Sequence, residues 1–359
     1  MPSLPYAAQA LDPRRLAYAA ELAQGTDRFQ EPRRQDCPWC GSDRLCTRLR
    51  APDLLQHKPG SFAVDQCRDC GHAFQNPRLT AEGLAFYHRD LGDDEPRGLA
   101  ERLLAAGRSH RLHRAVARLM RGVGEPESWL DVGTGHARFP HAAREVFPYT
   151  SFDGLDPTMR VVRARAAGRV EEAHVGHLAD PHLAARLRAR YDVVSMFQHL
   201  ARVPDPRAEL GAALAALRPG GHLLIELPDP RSAFARLLGR WWLSHGQPRQ
   251  LHLLPLRNLR AELRARGCTV LVVDRRTAHT PHDLSAALAL ALTHVLPAAD
   301  VPWCTEPPGD LQRLLRTALT GAAGPLLAVA AALDHVLAPL LRHTPFANTY
   351  RVVARRDTG

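Results

Sequence analysis

The chain has 359 residues, of which 45% are hydrophobic and 6% aromatic, a composition that suits a folded globular protein and excludes intrinsic disorder. It carries 47 Lys and Arg residues against 37 Asp and Glu residues, which gives a formal net charge of +10. Because the only lysine is Lys58 and the arginines are spread along the chain, we attribute this charge to compositional bias and not to a nucleic-acid-binding surface.

The N-terminal segment does not resemble a targeting signal. Residues 1–15 lack the basic start, apolar core and cleavage site of a signal peptide. No uninterrupted apolar run reaches the about 18 residues that a membrane span needs. Four of the seven cysteines form two CxxC pairs, which in a chain without an export signal favours metal over disulfides. We therefore expect a cytoplasmic protein with no membrane span.

Hydrophobic periodicity predicts the elements in chain order. A helix over 14–23 precedes a cysteine-bearing segment over 37–77 and an amphipathic helix over 99–120. Helices are also expected over 141–147, 210–217 and 256–266. The predicted strands of the remaining chain are WLDV, TSFDGLD, YDVVSMF, HLLIELP, CTVLVVDRR and TYRVVARR. Strands alternating with helices predict an α/β fold with a doubly wound, largely parallel sheet that is covered on both faces.

The Ala/Leu-rich stretch before the last strand is long for a connection. Residues 283–341 are therefore predicted to be a helical insertion, serving either as a lid over a bulky acceptor or as a packing or dimer surface. The predicted domains are an N-terminal helical extension (1–35), a zinc-ribbon module (36–80) and a catalytic domain (81–359) with the insertion at 282–345.

Two matched knuckles, Cys37-Pro-Trp-Cys40 and Cys67-Arg-Asp-Cys70, indicate a metal site. Four thiolates form the closed tetrahedral ligand set of structural zinc. A pair of redox dithiols is the alternative, but neither knuckle lies at the strand-to-helix turn that such motifs use. The sequence therefore predicts Zn²⁺ bound by these four cysteines.

A glycine-rich turn, Gly133-Thr134-Gly135, follows the strand WLDV and precedes a helix. Glycines there let a ligand approach the backbone closely. The dinucleotide fingerprint needs a third glycine where Arg138 stands. Asp131, just before the glycines, suits the ammonium group of an amino-acid-bearing cofactor, whereas it would repel a pyrophosphate. Asp156, at the end of the next strand, is placed to accept hydrogen bonds from ribose hydroxyls.

The motifs DVGTG, GLDPTM, YDVVSMF and LRPGGHLLIELP, in this order, resemble those of the class I S-adenosylmethionine-dependent methyltransferases. The segment CPWCG…CRDCGHAFQNPRLTAEGLAFY is similar to the zinc-ribbon heads of members that act in polysaccharide, deoxysugar and natural-product pathways. The resemblance implies a seven-stranded sheet of order 3-2-1-4-5-7-6, whose last strand, TYRVVARR, is antiparallel.

The resemblance also implies which residues hold S-adenosylmethionine. The matching positions are Asp131, Gly133, Thr134, Gly135, Asp156, Pro157, Leu178 and Gln198. The chain departs from the family pattern at three places. Ala137 replaces a third glycine, Ala201-Arg202 replaces a Glu-His pair, and Gly176-His177-Leu178 lacks the acid that often faces adenine.

Methyl transfer to a hydroxyl or carbon acid needs a general base, and histidine titrates near neutrality. His199 and His252 follow the fourth and fifth strands of the core and are the predicted catalytic residues. Glu226 is expected either to orient the acceptor or to form a strand-end salt bridge. The expected reaction is O-methylation of a small molecule or glycan by a homodimer. A sugar C-methyltransferase, an RNA methyltransferase and a non-catalytic zinc-ribbon binding protein are the alternatives.

Overall fold

A computed structural model describes residues 12–90, 110–304 and 306–358. The N-terminal part contains helix α1 (Pro13–Ala23), strands β1 (Leu45–Ala51), β2 (Phe62–Cys67) and β3 (Ala73–Gln75), and helix α2 (Ala81–His88). The expected helix over 14–23 is α1, whose first turn is capped by a carboxylate because Asp12 Oδ1 accepts a hydrogen bond from Arg14 N.

The rest of the described chain alternates strands with helices, as the periodicity predicts. The strands are β4 (Ser128–Val132), β5 (Ser151–Asp156), β6 (Ala173–Val175), β7 (Tyr191–Phe197), β8 (Leu217–Pro228), β9 (His252–Leu253), β10 (Cys268–Asp274) and β11 (Thr349–Arg356). The helices are α3 (His110–Leu119), α4 (Arg138–Ala143), α5 (Arg160–Ala166), α6 (Pro181–Arg186), α7 (Pro206–Ala216), α8 (Ala233–Leu237), α9 (Leu256–Ala265), α10 (Asp283–Val295) and α11 (Asp310–Leu341).

The large sheet has seven strands in the order β10-β11-β8-β7-β4-β5-β6. Strands β4 to β8 run parallel, and β11 is antiparallel to both of its neighbours. This arrangement confirms the predicted strand order, including the closing antiparallel strand. Because the carboxyl ends of the parallel strands β4, β5 and β7 lie at the same edge of the sheet, the loops that follow these strands lie side by side.

The expected helix over 99–120 is observed only as α3, since residues 99–109 lie outside the described part of the chain. Helix α4 begins three residues earlier than the predicted 141–147 helix and ends at Ala143. Strand β6 was not predicted, because three residues with one buried side chain carry too little periodic signal.

The four-stranded N-terminal sheet contains a strand that the sequence analysis did not predict. Its order is β1-β2-β3-β9, so a segment that follows β8 in the chain completes the N-terminal sheet. Phe74 pairs with His252 and Ala73 with Leu253. Trp39 and Phe74 are also buried in the same apolar cluster as Leu130 of β4. The N-terminal module therefore packs directly on the catalytic domain.

The predicted helical insertion consists of α10 and the 32-residue helix α11. Asp334 of α11 joins the two helices, because it accepts hydrogen bonds from Leu284 N (3.0 Å), Ser285 N (2.9 Å) and Ser285 Oγ (2.7 Å). By length and composition alone, α11 would also be long and apolar enough to cross a membrane. Gly, Thr and Pro residues interrupt its apolar run, which is why the sequence did not reveal this.

Candidate cofactor and metal sites

The glycine-rich turn that follows β4 has backbone angles that favour glycine. Gly133 and Gly135 have positive φ angles of 72° and 54°. The turn is tied to the neighbouring strand, since Gly133 N and Thr134 N both donate to Leu155 O, at 2.8 and 3.1 Å. Ala137, which stands where the family has a third glycine, keeps a left-handed φ of 52°. The loop thus has a left-handed conformation at Ala137, although this backbone conformation costs a residue with a side chain about 1–2 kcal/mol.

Asp131 lies at the carboxyl end of β4 and is 3% exposed. Its Oδ1 accepts a hydrogen bond from Ser195 Oγ at 2.6 Å, and that hydroxyl in turn accepts from Trp129 Nε1 at 2.9 Å. Burial raises the pKa of Asp131 to about 6, although the hydroxyls of Ser195 and Thr134 act in the opposite direction. A cationic group nearby would favour the charged carboxylate.

Asp156 ends β5 and faces the same turn. Its Oδ2 accepts a hydrogen bond from Gly135 N at 2.9 Å, and its Oδ1 accepts from Thr158 N at 2.9 Å and Thr158 Oγ1 at 2.5 Å. A carboxylate has about four lone-pair sites, so acceptor capacity remains for a ligand. Pro157, the next predicted cofactor residue, is exposed.

His199 follows β7 and lies against the glycine turn. A Cβ built on Gly133 would come within 2.5 Å of His199 Nδ1, so the imidazole occupies the space that the glycine leaves. His199 Nε2 lies 2.7 Å from Glu209 Oε1. Burial alone would raise the pKa of Glu209, but the hydrogen bond and charge of His199 bring it below its usual value.

Glu209 is a functional candidate that sequence reasoning missed. It is 2% exposed, and its carboxylate also accepts hydrogen bonds from Leu178 N (3.3 Å) and Ala179 N (3.1 Å). One side chain of α7 thereby links the predicted adenine-facing loop to the His199 loop. The only local signal is an acidic residue in the first turn of a helix, which is common without any function.

Gln198, another of the predicted cofactor residues, has a strained backbone. Its φ is +59°, a conformation that is uncommon for a residue other than glycine. Its amide nitrogen donates to Glu226 O at 2.8 Å, which holds the loop to the end of β8. Strain of this kind concentrates at functional sites.

The predicted cofactor residues therefore follow four adjacent strands, β7, β4, β5 and β6, at their carboxyl ends. The arrangement fits an amino-acid-bearing nucleoside in three respects. Asp131 is a buried carboxylate that an ammonium group would stabilise, and Asp156 offers a second carboxylate. A Cβ built on Gly135 would meet no atom within 4 Å, which leaves open space beside the backbone.

The four predicted metal ligands come together in the N-terminal module. Their sulfur atoms all lie within 4.8 Å of one another, and Cys37–Cys70 and Cys40–Cys67 are both separated by 3.6 Å. A tetrahedral zinc with Zn–S bonds of about 2.3 Å would separate its sulfurs by about 3.8 Å. Because Trp39 N also points at Cys37 Sγ from 3.4 Å, the donor set fits a metal bound by thiolates.

The second predicted catalytic histidine, His252, lies beside this cluster. It is 4% exposed, with Nδ1 at 3.2 Å from His72 Nε2 and Nε2 at 3.3 Å from Pro204 O. His72 Nδ1 is in turn 3.9 Å from Cys37 Sγ. Both ring nitrogens of His252 are thus engaged by the protein, and burial lowers its pKa to about 4. The structure thus places His252 beside the cysteine cluster, in contact with His72.

Glu226 has the strand-end salt bridge that was the alternative to acceptor binding. Arg351 of β11 contacts Glu226 Oε2 through Nη2 at 2.6 Å and Nε at 3.0 Å. A further group with metal-ligating side chains, Asp153, Glu172 and His174, already has a cationic partner. Arg190 Nη2 lies 2.6 Å from Glu172 Oε1 and 3.6 Å from Asp153 Oδ2.

Part of the chain is similar to a family of known proteins. A family described as "Methyltransferase domain" matches residues 104–273. The ubiquinone biosynthesis O-methyltransferase of Alkalilimnicola ehrlichii is 28% identical over 140 residues, 38% of this chain and 56% of the relative. The enzyme of the same description from Cronobacter sakazakii is 37% identical over 97 residues, 26% of this chain and 39% of the relative. The chain thus spans about half the length, or less, of these curated relatives.

Among solved structures, the N-methyltransferase NodS from Bradyrhizobium japonicum, in complex with S-adenosyl-L-homocysteine, is similar with a TM-score of 0.39 and 14% identity. That similarity covers 77% of this chain and 97% of the other. The family match includes the glycine turn, Asp131, Asp156 and the strands that carry them. Residues 104–273 therefore match a methyltransferase domain, in agreement with the resemblance of the sequence motifs to the class I S-adenosylmethionine-dependent methyltransferases.

Proposed function

We propose that the protein transfers a methyl group from S-adenosylmethionine to a small-molecule or glycan acceptor, most simply to a hydroxyl group in natural-product or polysaccharide biosynthesis. The observation that carries the proposal is the buried carboxylate of Asp131 beside the Gly133–Gly135 turn. A buried carboxylate without a cationic partner is costly, and the ammonium group of an amino-acid-bearing cofactor would supply that partner.

In the proposed complex, Asp131 binds the ammonium group, the turn from Gly133 to Gly135 contacts the amino-acid portion, and Asp156 binds the ribose. Leu178 and Gln198 flank the nucleoside. S-adenosylmethionine supplies an electrophilic methyl group on a sulfonium centre when bound. The protein's contribution is alignment of the acceptor with that methyl group, an effect that can supply about 7–11 kcal/mol of the barrier.

His199 is the residue we propose to take the acceptor proton. Glu209 accepts a hydrogen bond from His199 Nε2, which leaves Nδ1 as the nitrogen with a free lone pair. A carboxylate that holds one imidazole nitrogen fixes the tautomer and stabilises the imidazolium formed on proton transfer. The engaged nitrogens of His252 do not favour its predicted catalytic role. His252 is better suited to support the loop that follows β7.

We also propose that the cysteine cluster holds a structural Zn²⁺. Burial raises the pKa of the Cys37 thiol to about 11, so a nearby cation is needed to hold this sulfur as a thiolate at neutral pH. A divalent ion would stabilise all four thiolates at once. With four protein ligands the site has no open coordination position, which supports a structural role for the ion.

Calorimetric titration of S-adenosylhomocysteine into the zinc-loaded protein tests the proposed cofactor pocket. We expect micromolar binding that Asp156→Ala loses and no response to NADH. Asp43→Ala, a change at an exposed loop carboxylate, is the matched control and should bind as the unaltered protein does. A folded protein that binds no S-adenosylhomocysteine would contradict the proposal.

A further inference from the structure

One face of α11 carries aliphatic side chains that are about half or more exposed in the part of the chain that the structure describes. The face is formed by Leu319, Ala322, Leu326, Val329, Leu333 and Val336, all of them exposed. Leu315, four residues before Leu319, and Leu340, four residues after Val336, extend the face and are 45% and 68% exposed. We call these eight positions the outer seam. Soluble monomers rarely expose a contiguous apolar surface of this length.

The spacing of the outer seam indicates what covers it. Its members follow one another at alternating intervals of four and three residues from 315 to 340. This is the heptad spacing of a helix that packs lengthwise on another helix. Any apolar helix face has steps of three and four residues, but a bilayer surface does not require an exact seven-residue repeat, from which a straight helix drifts by about 20° per heptad.

A second face of α11 is already covered within the chain and follows the same spacing. Thr320, Ala323, Leu327 and Ala330 repeat the four-and-three spacing one residue along the chain, and Leu327 packs with Ala286 and Leu290 of α10. The helix therefore has two seams about 100° apart, of which α10 covers one. The hydrogen bonds of Asp334 to α10 would be lost if α11 left this contact to cross a membrane.

We propose that the outer seam pairs with the same seam of a second copy of this chain, as an antiparallel helix pair about a two-fold axis. The seam is self-complementary, because the axis would pass midway between Leu326 and Val329. Leu326 would then face the partner's Val329, and the small Ala322 would face the partner's Leu333. Antiparallel coiled coils pair their two heptad positions in this alternating manner.

Electrostatics do not oppose this pairing. The positions flanking the outer seam are Ala318, Pro325, Ala332 and Pro339 on one side and Arg316, Ala323, Ala330 and Leu337 on the other. Arg316 is the only charged residue among these eight, so like charges do not meet along the contact. Together with α10 of each copy, the pair forms a four-helix arrangement that extends the packing within one chain.

The oligomeric state in solution tests the proposal. Light scattering coupled to size exclusion should give twice the monomer mass for the full chain, and Leu326→Asp combined with Val329→Asp should give the monomer mass. Leu314→Asp is the matched control, because Leu314 is 66% exposed on the same helix but lies off the outer seam. It should remain a dimer.

Far-UV circular dichroism and S-adenosylhomocysteine titration of each variant establish that it is folded. A monomeric full chain at all concentrations would overturn the proposal, as would a double variant that stays dimeric. Flotation with phosphatidylglycerol vesicles tests whether the outer seam binds a lipid surface. A monomer that floats with vesicles, and loses this property in the double variant, would assign the outer seam to a lipid surface instead.

Discussion

Replacing Glu209 is the sharpest test of the proposed methyl-transfer site. The carboxylate accepts hydrogen bonds from His199 Nε2, Leu178 N and Ala179 N; Glu209, His199 and Leu178 are buried, whereas Ala179 is exposed. Glu209→Ala leaves two buried donors, His199 Nε2 and Leu178 N, without an acceptor, each costing about 1 kcal/mol or more, so we expect a loss of about 2 kcal/mol in the free energy of unfolding. Glu209→Gln keeps one acceptor oxygen and should lose about 1 kcal/mol.

The same change should weaken cofactor binding, because both loops that Glu209 holds carry predicted cofactor residues. A tenfold increase in the Kd of S-adenosylhomocysteine corresponds to about 1.4 kcal/mol, and we expect at least this for Glu209→Ala. Urea unfolding and calorimetry measure the two effects. Glu127→Gln is the control, since Glu127 is 87% exposed and its distance to Arg218 is 3.6 Å.

The pH dependence gives a second measurement on the same residue. The pKa of folded Glu209 lies below its usual value, so its stabilising contribution is present above the unfolded pKa and disappears as the pH falls through the folded pKa. Glu209→Gln should remove this part of the acid sensitivity. If Glu209→Gln and Glu127→Gln give equal unfolding free energies and equal affinities, the reasoning about Glu209 is refuted.

Three further outcomes are expected. The pKa of Asp131 is about 6 in the free protein, so the Kd of S-adenosylhomocysteine should rise about tenfold per pH unit below pH 6, and calorimetry of Asp131→Asn should show weak binding without this pH dependence. Cys37→Ser should lose bound zinc and the protease resistance of the N-terminal module, whereas Cys46→Ser, whose thiol lies outside the cluster, should keep both by metal analysis and limited proteolysis. Arg351→Met should cost about 3–5 kcal/mol in urea unfolding because it leaves Glu226 without its cation, and the double change with Glu226→Gln should recover part of that loss.

Several of the protein's features can be predicted from local sequence. Strands such as YDVVSMF are short apolar runs bounded by polar residues, and burial against both layers of helices requires this composition. The glycine turn and the two CxxC knuckles are equally local, because each depends on backbone conformations or ligand spacings within a few residues. The strand order followed from the family resemblance and is confirmed by the sheet.

Other features depend on contacts between residues that are far apart in the chain. His252 joins the N-terminal sheet because β9 pairs with β3, and no short-range pattern signals a two-residue strand. Glu209 contacts Leu178, 31 residues away, and Arg351 contacts Glu226, 125 residues away. A polar residue in a helix or strand has the same local sequence whether it faces solvent or a buried partner.

The sequence by itself therefore determined the fold class, the cysteine cluster and the edge of the sheet where we propose that S-adenosylmethionine binds. Only the tertiary structure decided which carboxylates and histidines are partners and that α11 has a second, uncovered seam. The physical reason is that periodicity and turn geometry act over a few residues, whereas the pairing of buried polar groups depends on how whole elements pack.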